Sequence, residues 1–197
     1  EGRYTALHTS CETGQSARND VERGVQAVCD AVYMDSDRQI PEELRPPKGD
    51  PQVSPDSRLK DQLMRWSRTH PRPVVLFLDE IDALQDDVLI SVLRQLRSGY
   101  MARPQQFPQS VALIGLRDVR DYKVKLRPDA DSLGTSSPFN IKVESLSIRD
   151  FNREEVFELC SQHTQETGQG FEDDALARIY QLTEGQPWLV NALARQL

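Results

Sequence analysis

The positions of apolar residues divide the chain into two parts with different predicted secondary structure. In residues 1–147, short apolar runs alternate with segments in which apolar residues recur every three or four positions. The short runs predict strands, and the periodic segments predict amphipathic helices. The predicted strands are residues 3–8, 74–78, 111–116 and 139–143, and the predicted helices include residues 21–32, 59–66 and 88–96. We therefore expect an α/β core over residues 1–147.

The last part of the chain, residues 148–197, has helix-period segments and no further strand pattern. Asn152 and Glu155 have the spacing of a capping box, in which each side chain bonds to the backbone of the other residue. Gly185 is placed to end one helix, and Pro187 suits the first turn of the next. Alternating strands and helices followed by helices alone predict a parallel sheet flanked by helices, with a small α-helical lid. The proline-rich residues 40–55 predict a surface loop within the core.

Two acidic residues follow the most apolar segment of the chain. Residues 74–78 are all apolar, which predicts a strand covered by helices on both faces. Asp79 and Glu80 come directly afterwards, at the end of the strand where ligands bind in open parallel sheets. Phosphoryl transfer needs such a pair, because an aspartate holds magnesium and a glutamate activates the attacking water. The alternative is a buried strand that happens to end in an acidic turn.

Composition restricts the class of function. The 197 residues include 24 Lys and Arg against 31 Asp and Glu, and the net charge of −7 disfavours indiscriminate nucleic-acid binding. No apolar run reaches the roughly 18 residues of a membrane span. Three widely spaced cysteines without a C-x-x-C pair favour a reducing cytoplasm over disulfides or a zinc site. The scattered histidines lack metal-ligand spacing, so we assign them no function.

The segment that contains the acidic pair carries a family resemblance. VVLFLDEIDAL resembles the Walker B region of the AAA+ ATPases and of the STAND ATPases, the signal-transduction ATPases with numerous domains. Further stretches resemble a bacterial family of AAA-like ATPases related to archaeal ATPases and origin-recognition proteins, namely SVALIGLRDVRDYK, SSPFNIKVESL, FNREEVFELCSQHTQETG and LTEGQPWLVNALA. The resemblance spans nearly the whole chain. It implies a P-loop NTPase fold with a helical lid, which binds ATP and ADP and hydrolyses ATP with Mg²⁺.

The resemblance also implies roles for individual residues in the core. Asp79 would hold magnesium, and Glu80 would be the catalytic base. Arg117 follows a predicted strand where relatives place Asn or Thr, so it either senses the γ-phosphate or lies in a solvated loop. Arg120 and Arg127 continue this basic loop, which supplies an arginine finger, contacts a partner or is plain surface.

In the predicted lid, Gly185 and Pro187 resemble the Gly-x-Pro element of the STAND ATPases, where the proline packs near the adenine. The alternative is a helix start with proline in its first turn, followed by Trp188 in the core. The family resemblance further implies a conformational switch for signalling. Such a switch acts with an effector domain of the same chain or as a homo-oligomer.

The phosphate-binding loop of these ATPases, G-x-x-x-x-G-K-[ST], is not found in the sequence. Residues 9–16 come nearest, but Gln15 stands where the loop needs its lysine. Residues 4–8 are too polar for a central strand and fit an edge strand instead. The expected strand order is 5-1-4-3-2, with residues 139–143 as strand 5 and residues 111–116 as strand 4. Strand 1 would therefore lie between these two segments. We therefore expect that the first strand and its phosphate-binding loop are missing from this chain. The alternative is that residues 9–16 are a degenerate phosphate-binding loop.

Two functions follow from these patterns. The first is an ATP-hydrolysing switch, of which the 197-residue chain alone would be inactive because the phosphate loop is not present. The alternative is a non-hydrolysing scaffold that keeps the fold and binds a protein or nucleic-acid partner through residues 117–127.

Overall fold

The computed structural model describes residues 2–116 and 146–196. The chain forms two compact units, residues 1–143 and 144–197, and each is described by itself. The division lies close to the predicted boundary between core and lid. The predicted strand at residues 139–143 and the basic loop at residues 117–127 lie outside the described residues.

The first unit contains a parallel sheet of three described strands. The strands are β1 (Thr5–Ser10), β2 (Val74–Asp79) and β3 (Ser110–Leu113), in the order β1-β2-β3. The helices are α1 (Val21–Gln39), α2 (Pro55–Thr69) and α3 (Asp86–Gly99). The α/β class and the parallel sheet flanked by helices are therefore as predicted, and β1 is the outer strand beside β2.

The three helices bury one face of the sheet. Leu7, Leu76 and Leu78 are completely buried in one core with apolar residues from α1, α2 and α3. The connections from β1 to β2 and from β2 to β3 each lead to the adjacent strand, in the same direction across the sheet. Because such parallel connections are right-handed, α1, α2 and α3 lie on the same face of the sheet. The side chains of the opposite face are only half-buried in β2, at Val75 and Phe77. The described helices do not account for cover on this second face, so the prediction that β2 is covered on both faces stays a prediction.

Several element ends differ from the prediction for local reasons. β1 reaches Ser10 because that residue still pairs with Asp79. Pro55, predicted in the loop, instead begins α2, where the fixed φ of proline suits a first helical turn. β3 ends before residue 116, because the Ile114 carbonyl turns to accept from the Ile81 N–H at 3.0 Å.

The proline-rich connection before α2 is fixed by one buried arginine. Arg58 is 1% exposed and donates to the carbonyls of Asp50, Pro51 and Val53. Its guanidinium also forms an ion pair with Glu22 of α1, at 2.7 Å. A buried charge needs such partners because burial without them is costly. Arg58 therefore fastens this surface segment to α1 and α2.

The second unit is a group of three described helices, α4 (Arg153–Thr167), α5 (Asp173–Thr183) and α6 (Pro187–Ala194). The predicted capping box at the start of α4 is present in both directions, between Asn152 and Glu155. The buried core is small and consists of Val156, Cys160, Ile179 and Val190. None of the helices that the structure describes combines the length and apolar character needed to cross a membrane.

Trp188 is not a core residue of the helical unit. Its side chain is 70% exposed, at the second residue of α6. The reading of this position as a proline helix start followed by a core tryptophan is therefore only half correct. Pro187 begins the helix as expected.

Candidate active site at the carboxyl end of the sheet

The acidic pair lies where β2 ends. Asp79 is the last residue of the strand, and Glu80 follows with φ 53° and ψ 39°. This left-handed conformation is uncommon for a residue with a side chain. It turns the chain out of the strand and into the short 3-10 helix Ile81–Ala83. The two carboxylates are thereby presented at the edge of the sheet where parallel folds bind ligands.

Both oxygens of the Asp79 carboxylate accept hydrogen bonds. Oδ1 accepts from the backbone N–H of Glu80 at 2.8 Å. Oδ2 lies 2.9 Å from Nε2 of His8, which belongs to the neighbouring strand β1. Because a carboxylate can only accept, the imidazole donates this bond. The orientation of Asp79 is therefore set from two directions.

Glu80 is held by the same strand. The hydroxyl of Ser10 donates to Oε2 of Glu80 at 2.5 Å, and the Ser10 oxygen accepts from the N–H of Glu12 at 3.0 Å. His8 and Ser10 are two residues apart and therefore project from the same face of β1. The sequence analysis missed both residues. Their alternation with Leu7 and Thr9 was a detectable signal, but only the strand register shows that they face the acidic pair.

An open cleft adjoins the acidic pair. Its volume is about 480 Å³, and it is lined by Glu12, Gln15, Asp79, Glu80, Asp82, Ala83, Ile114, Gly115 and Leu116. Four of these residues are carboxylates, so the wall is strongly acidic. Gly115 allows a close approach, because a Cβ there would lie 2.7 Å from Oδ1 of Asp82. An anionic ligand in this cleft would need cations to neutralise the wall.

The cysteine beside the pair is not a nucleophile. Burial raises the pKa of the Cys11 thiol to about 12, and the negative charges of Asp79 and Glu80 contribute to the shift. Since the thiolate is the reactive form, Cys11 stays protonated and inert near neutral pH. All three cysteines are free and buried.

The donor atoms of the site suit a magnesium ion that brings most of its own ligands. Mg²⁺ prefers oxygen donors and is usually held by one or two carboxylates together with water and substrate phosphates. Asp79 offers such a carboxylate. In residues 2–116 and 146–196, no group of three or more His, Cys, Asp or Glu side chains could hold a metal. The residues therefore fit a phosphate-bound Mg²⁺ and do not form an all-protein cage.

Residues 9–16, the nearest approach to a phosphate loop, form other structure. They comprise the end of β1 and most of the short 3-10 helix Glu12–Ala17. The N–H of Gly14 donates to the carbonyl of Cys11, and a Cβ on Gly14 would lie 2.5 Å from Leu84. Gly14 thus serves the close packing of this turn. Its N–H is committed within the turn, which argues against the degenerate-loop alternative.

The described structure does not test the remaining candidate residues. Arg117, Arg120 and Arg127 lie outside the described residues. Gly185 and Pro187 belong to the helical unit, where the Gly185 carbonyl accepts from the Phe151 N–H at 2.8 Å. Their proposed contacts with a nucleotide stay predictions.

Comparison with protein-family models gives no match for this chain, and comparison with curated proteins gives none either. The resemblance to the AAA-like ATPases therefore depends on the sequence motifs alone.

Proposed function

We propose that this chain carries the water-activating half of the catalytic site of an AAA-like, STAND-type P-loop ATPase. The observation that supports it most is the placement of Asp79 and Glu80 together at the carboxyl end of β2, the middle strand of the described sheet, beside an open cleft. In this proposal, ATP hydrolysis in the cleft drives a conformational switch of the protein.

Glu80 acts as the general base. Ser10 donates to Oε2 of Glu80, which leaves Oε1 to accept the proton of the attacking water. Asp79 holds Mg²⁺, directly or through water, with a carboxylate whose orientation is already fixed by His8 and the Glu80 N–H. When bound, the ion would neutralise negative charge on the β- and γ-phosphates.

The acidic wall defines what else the proposal requires. No Lys or Arg is among the residues that line the described cleft. A triphosphate needs cationic and N–H donors, which a phosphate loop with its lysine provides. We therefore place that loop on a preceding segment of a longer polypeptide and expect negligible ATP hydrolysis by the 197-residue chain alone. Magnesium-dependent turnover by this chain, abolished by Glu80→Gln, would contradict that part of the proposal.

The catalytic roles are tested in the longer polypeptide that the proposal requires. Glu80→Gln should retain ATP binding and lower kcat by about 10²- to 10⁴-fold, the usual contribution of a general base. Asp79→Ala should also weaken Mg²⁺-dependent ATP binding, because it removes a group that acts in the ground state. Asp87→Asn, an exposed carboxylate of the first turn of α3, is the matched control and should change neither quantity.

Two results would refute this assignment. Wild-type turnover by Glu80→Gln would show that Glu80 is not the base. A longer polypeptide that folds but binds no ATP would favour the non-hydrolysing scaffold. Both measurements need only radiolabelled ATP and equilibrium binding by calorimetry.

A further inference from the structure

We propose that His8 is a positioning residue for Asp79, and that Gln39 at the end of α1 holds His8 in place. The inference rests on the proposed function of Asp79 as a metal ligand. It concerns a histidine to which the sequence pattern gave no role, and it adds to the site a chain of three hydrogen-bonded residues, Gln39, His8 and Asp79.

The first link is a pair of hydrogen bonds between Gln39 and the backbone of His8. Oε1 of Gln39 accepts from the His8 N–H at 3.0 Å, and Nε2 of Gln39 donates to the His8 carbonyl at 2.7 Å. Nε2 also donates to the carbonyl of Asp35, one turn earlier in α1, at 3.0 Å. The carboxamide is therefore hydrogen-bonded to its own helix and to β1 at the same time. It fixes the backbone of His8 relative to α1.

The next residue of β1 is held by the same helix. The hydroxyl of Thr9, which is 1% exposed, donates to Oδ2 of Asp35 at 2.8 Å. Consecutive residues of β1 are thus bonded to two residues of α1 that lie one turn apart. The position from which the imidazole projects is therefore defined by the helix as well as by pairing with β2.

The second link is the bond between His8 and Asp79, 2.9 Å from Nε2 to Oδ2. More than half of the His8 side chain is exposed, so the ring contributes little to the buried core. Each carboxylate oxygen has two lone pairs. His8 occupies one on Oδ2 and the Glu80 N–H occupies one on Oδ1, so each oxygen retains one for a cation. Hydrogen bonds of this kind orient a ligating carboxylate, and losing one typically lowers metal affinity about 10- to 100-fold.

An ordinary surface ion pair would not have this organisation. Exposed pairs are weak partly because two flexible side chains must be ordered. Here the backbone of His8 is already fixed by Gln39 and β2, and only two side-chain torsions remain. The arrangement is suited to orienting Asp79 and adds little to stability.

The test measures metal binding and needs no turnover. Mn²⁺ replaces Mg²⁺ because it shares the preference for oxygen ligands. The 197-residue chain is titrated with Mn²⁺, and paramagnetic broadening of the backbone amides of Glu80, Ile81 and Gly115 is followed by ¹⁵N NMR. Spectra without metal establish that each variant is folded.

We expect Asp79→Ala to abolish the broadening at these amides. His8→Ala should require about 10- to 100-fold more Mn²⁺ for the same broadening. His8→Gln should lie closer to the wild type, because a carboxamide N–H can still donate to Asp79. Gln39→Ala should shift the titration in the same direction as His8→Ala. His163→Ala, which removes an exposed histidine of the helical unit, is the control and should have no effect.

The outcomes separate this inference from the proposed function. If Asp79→Ala abolishes binding while His8→Ala and Gln39→Ala bind as the wild type does, the positioning role is refuted and the metal role of Asp79 stands. Tighter binding by His8→Ala would also refute it, because His8 would then compete with the cation. If Asp79→Ala binds Mn²⁺ unchanged, the metal role itself is wrong, and the inference falls with it.

Discussion

Glu80 lies in the left-handed backbone region, at φ 53° and ψ 39°. A residue with a Cβ is about 1 to 2 kcal/mol less stable there than in the right-handed helical region. The surrounding bonds maintain this conformation, because the next N–H, that of Ile81, donates to Ile114 and the Glu80 side chain accepts from Ser10. Strain of this kind is concentrated at functional sites. At Glu80 it turns the carboxylate towards the end of β1.

This strain predicts an unusual order of stability among variants of Glu80. Glu80→Gly and Glu80→Ala both lose the bond from Ser10, but only alanine keeps the penalty for positive φ. We expect Glu80→Gly to be more stable than Glu80→Ala by about 1 kcal/mol in urea unfolding. The same pair of substitutions at Arg94, exposed within α3, should give the opposite order by a similar amount. Equal stability of the two Glu80 variants would show that the turn is not strained.

At the scale of secondary-structure elements, the turn between α5 and α6 depends on a glycine. Gly185 has φ 84°, and a Cβ there would lie 1.7 Å from the carbonyl oxygen of Phe151. Gly168, the C-cap of α4, has φ 79° with open space around it, and Gly170 has neither feature. The three glycines therefore separate backbone strain from close packing.

We predict a graded series for alanine substitutions at these glycines. Gly170→Ala should be close to neutral, and Gly168→Ala should destabilise the helical unit by about 1 kcal/mol through its positive φ. Gly185→Ala should cost clearly more, because the clash with Phe151 backbone adds to the same penalty. Thermal unfolding followed by circular dichroism measures the series. A Gly185→Ala variant as stable as Gly168→Ala would contradict the packing described for this turn.

The capping box of α4 predicts a dependence on pH. Hydrogen bonds from Arg149 and from the Asn152 N–H lower the pKa of Glu155 to about 2, from an ordinary value of 4.5. A carboxylate with a lowered folded-state pKa stabilises the fold above its unfolded pKa, and this stabilisation is lost as the pH falls through the folded pKa. Glu155→Gln should therefore destabilise the helical unit at pH 7, and the difference from wild type should disappear between about pH 4.5 and pH 2. Glu154→Gln, in the same turn but outside the box, is the control.

Local sequence patterns predicted some structural features well. They failed for features that depend on contacts with residues distant in the sequence. The capping box was readable because Asn152 and Glu155 are three positions apart and satisfy each other's backbone. The end of β3 was not, because it depends on the bond from Ile81, far away in the sequence. Likewise, Asp79 and Glu80 follow from one strand, whereas His8 and Ser10 reach them only through the register of two parallel strands. The exposure of Trp188 is also set by packing and not by its neighbours in sequence.

At the scale of the whole molecule, the two units have separate cores of very different size. Among the described residues, the helical unit buries four apolar side chains, whereas the core of the sheet unit draws on its three described strands, on α1, α2 and α3, and on the turns between them. Stability grows with buried apolar surface. Each core contains at least one buried free cysteine, namely Cys160 in the helical unit and Cys11 and Cys29 in the sheet unit. These thiols therefore report on the two units separately.

We predict that thiol labelling detects two unfolding steps. Native protein should react slowly, because burial raises the pKa of Cys11 and of Cys29 to about 12 and also raises that of Cys160. With increasing urea, Cys160 should become reactive at a lower concentration than the other two, as mapped by mass spectrometry of labelled peptides. Reaction of all three cysteines at one urea concentration would show that the units unfold together.

The hydrogen bonds between Gln39 and the backbone of His8 also affect whether the sheet can pair with a strand of another molecule. In the part of the chain that the structure describes, β1 pairs only with β2, so its other side is an open edge. The N–H of Thr5 donates to Pro73, just before β2, and the N–H of Cys11 donates to Asp79, the last residue of β2. The alternation of a strand then directs the backbone groups of Ala6, His8 and Ser10 outwards. Exposed edges of this kind recruit strands from other molecules and begin aggregation. The carboxamide of Gln39 occupies both backbone groups at the centre of the edge. An incoming strand would have to displace it before a continuous ladder could form, so the sheet resists extension through β1.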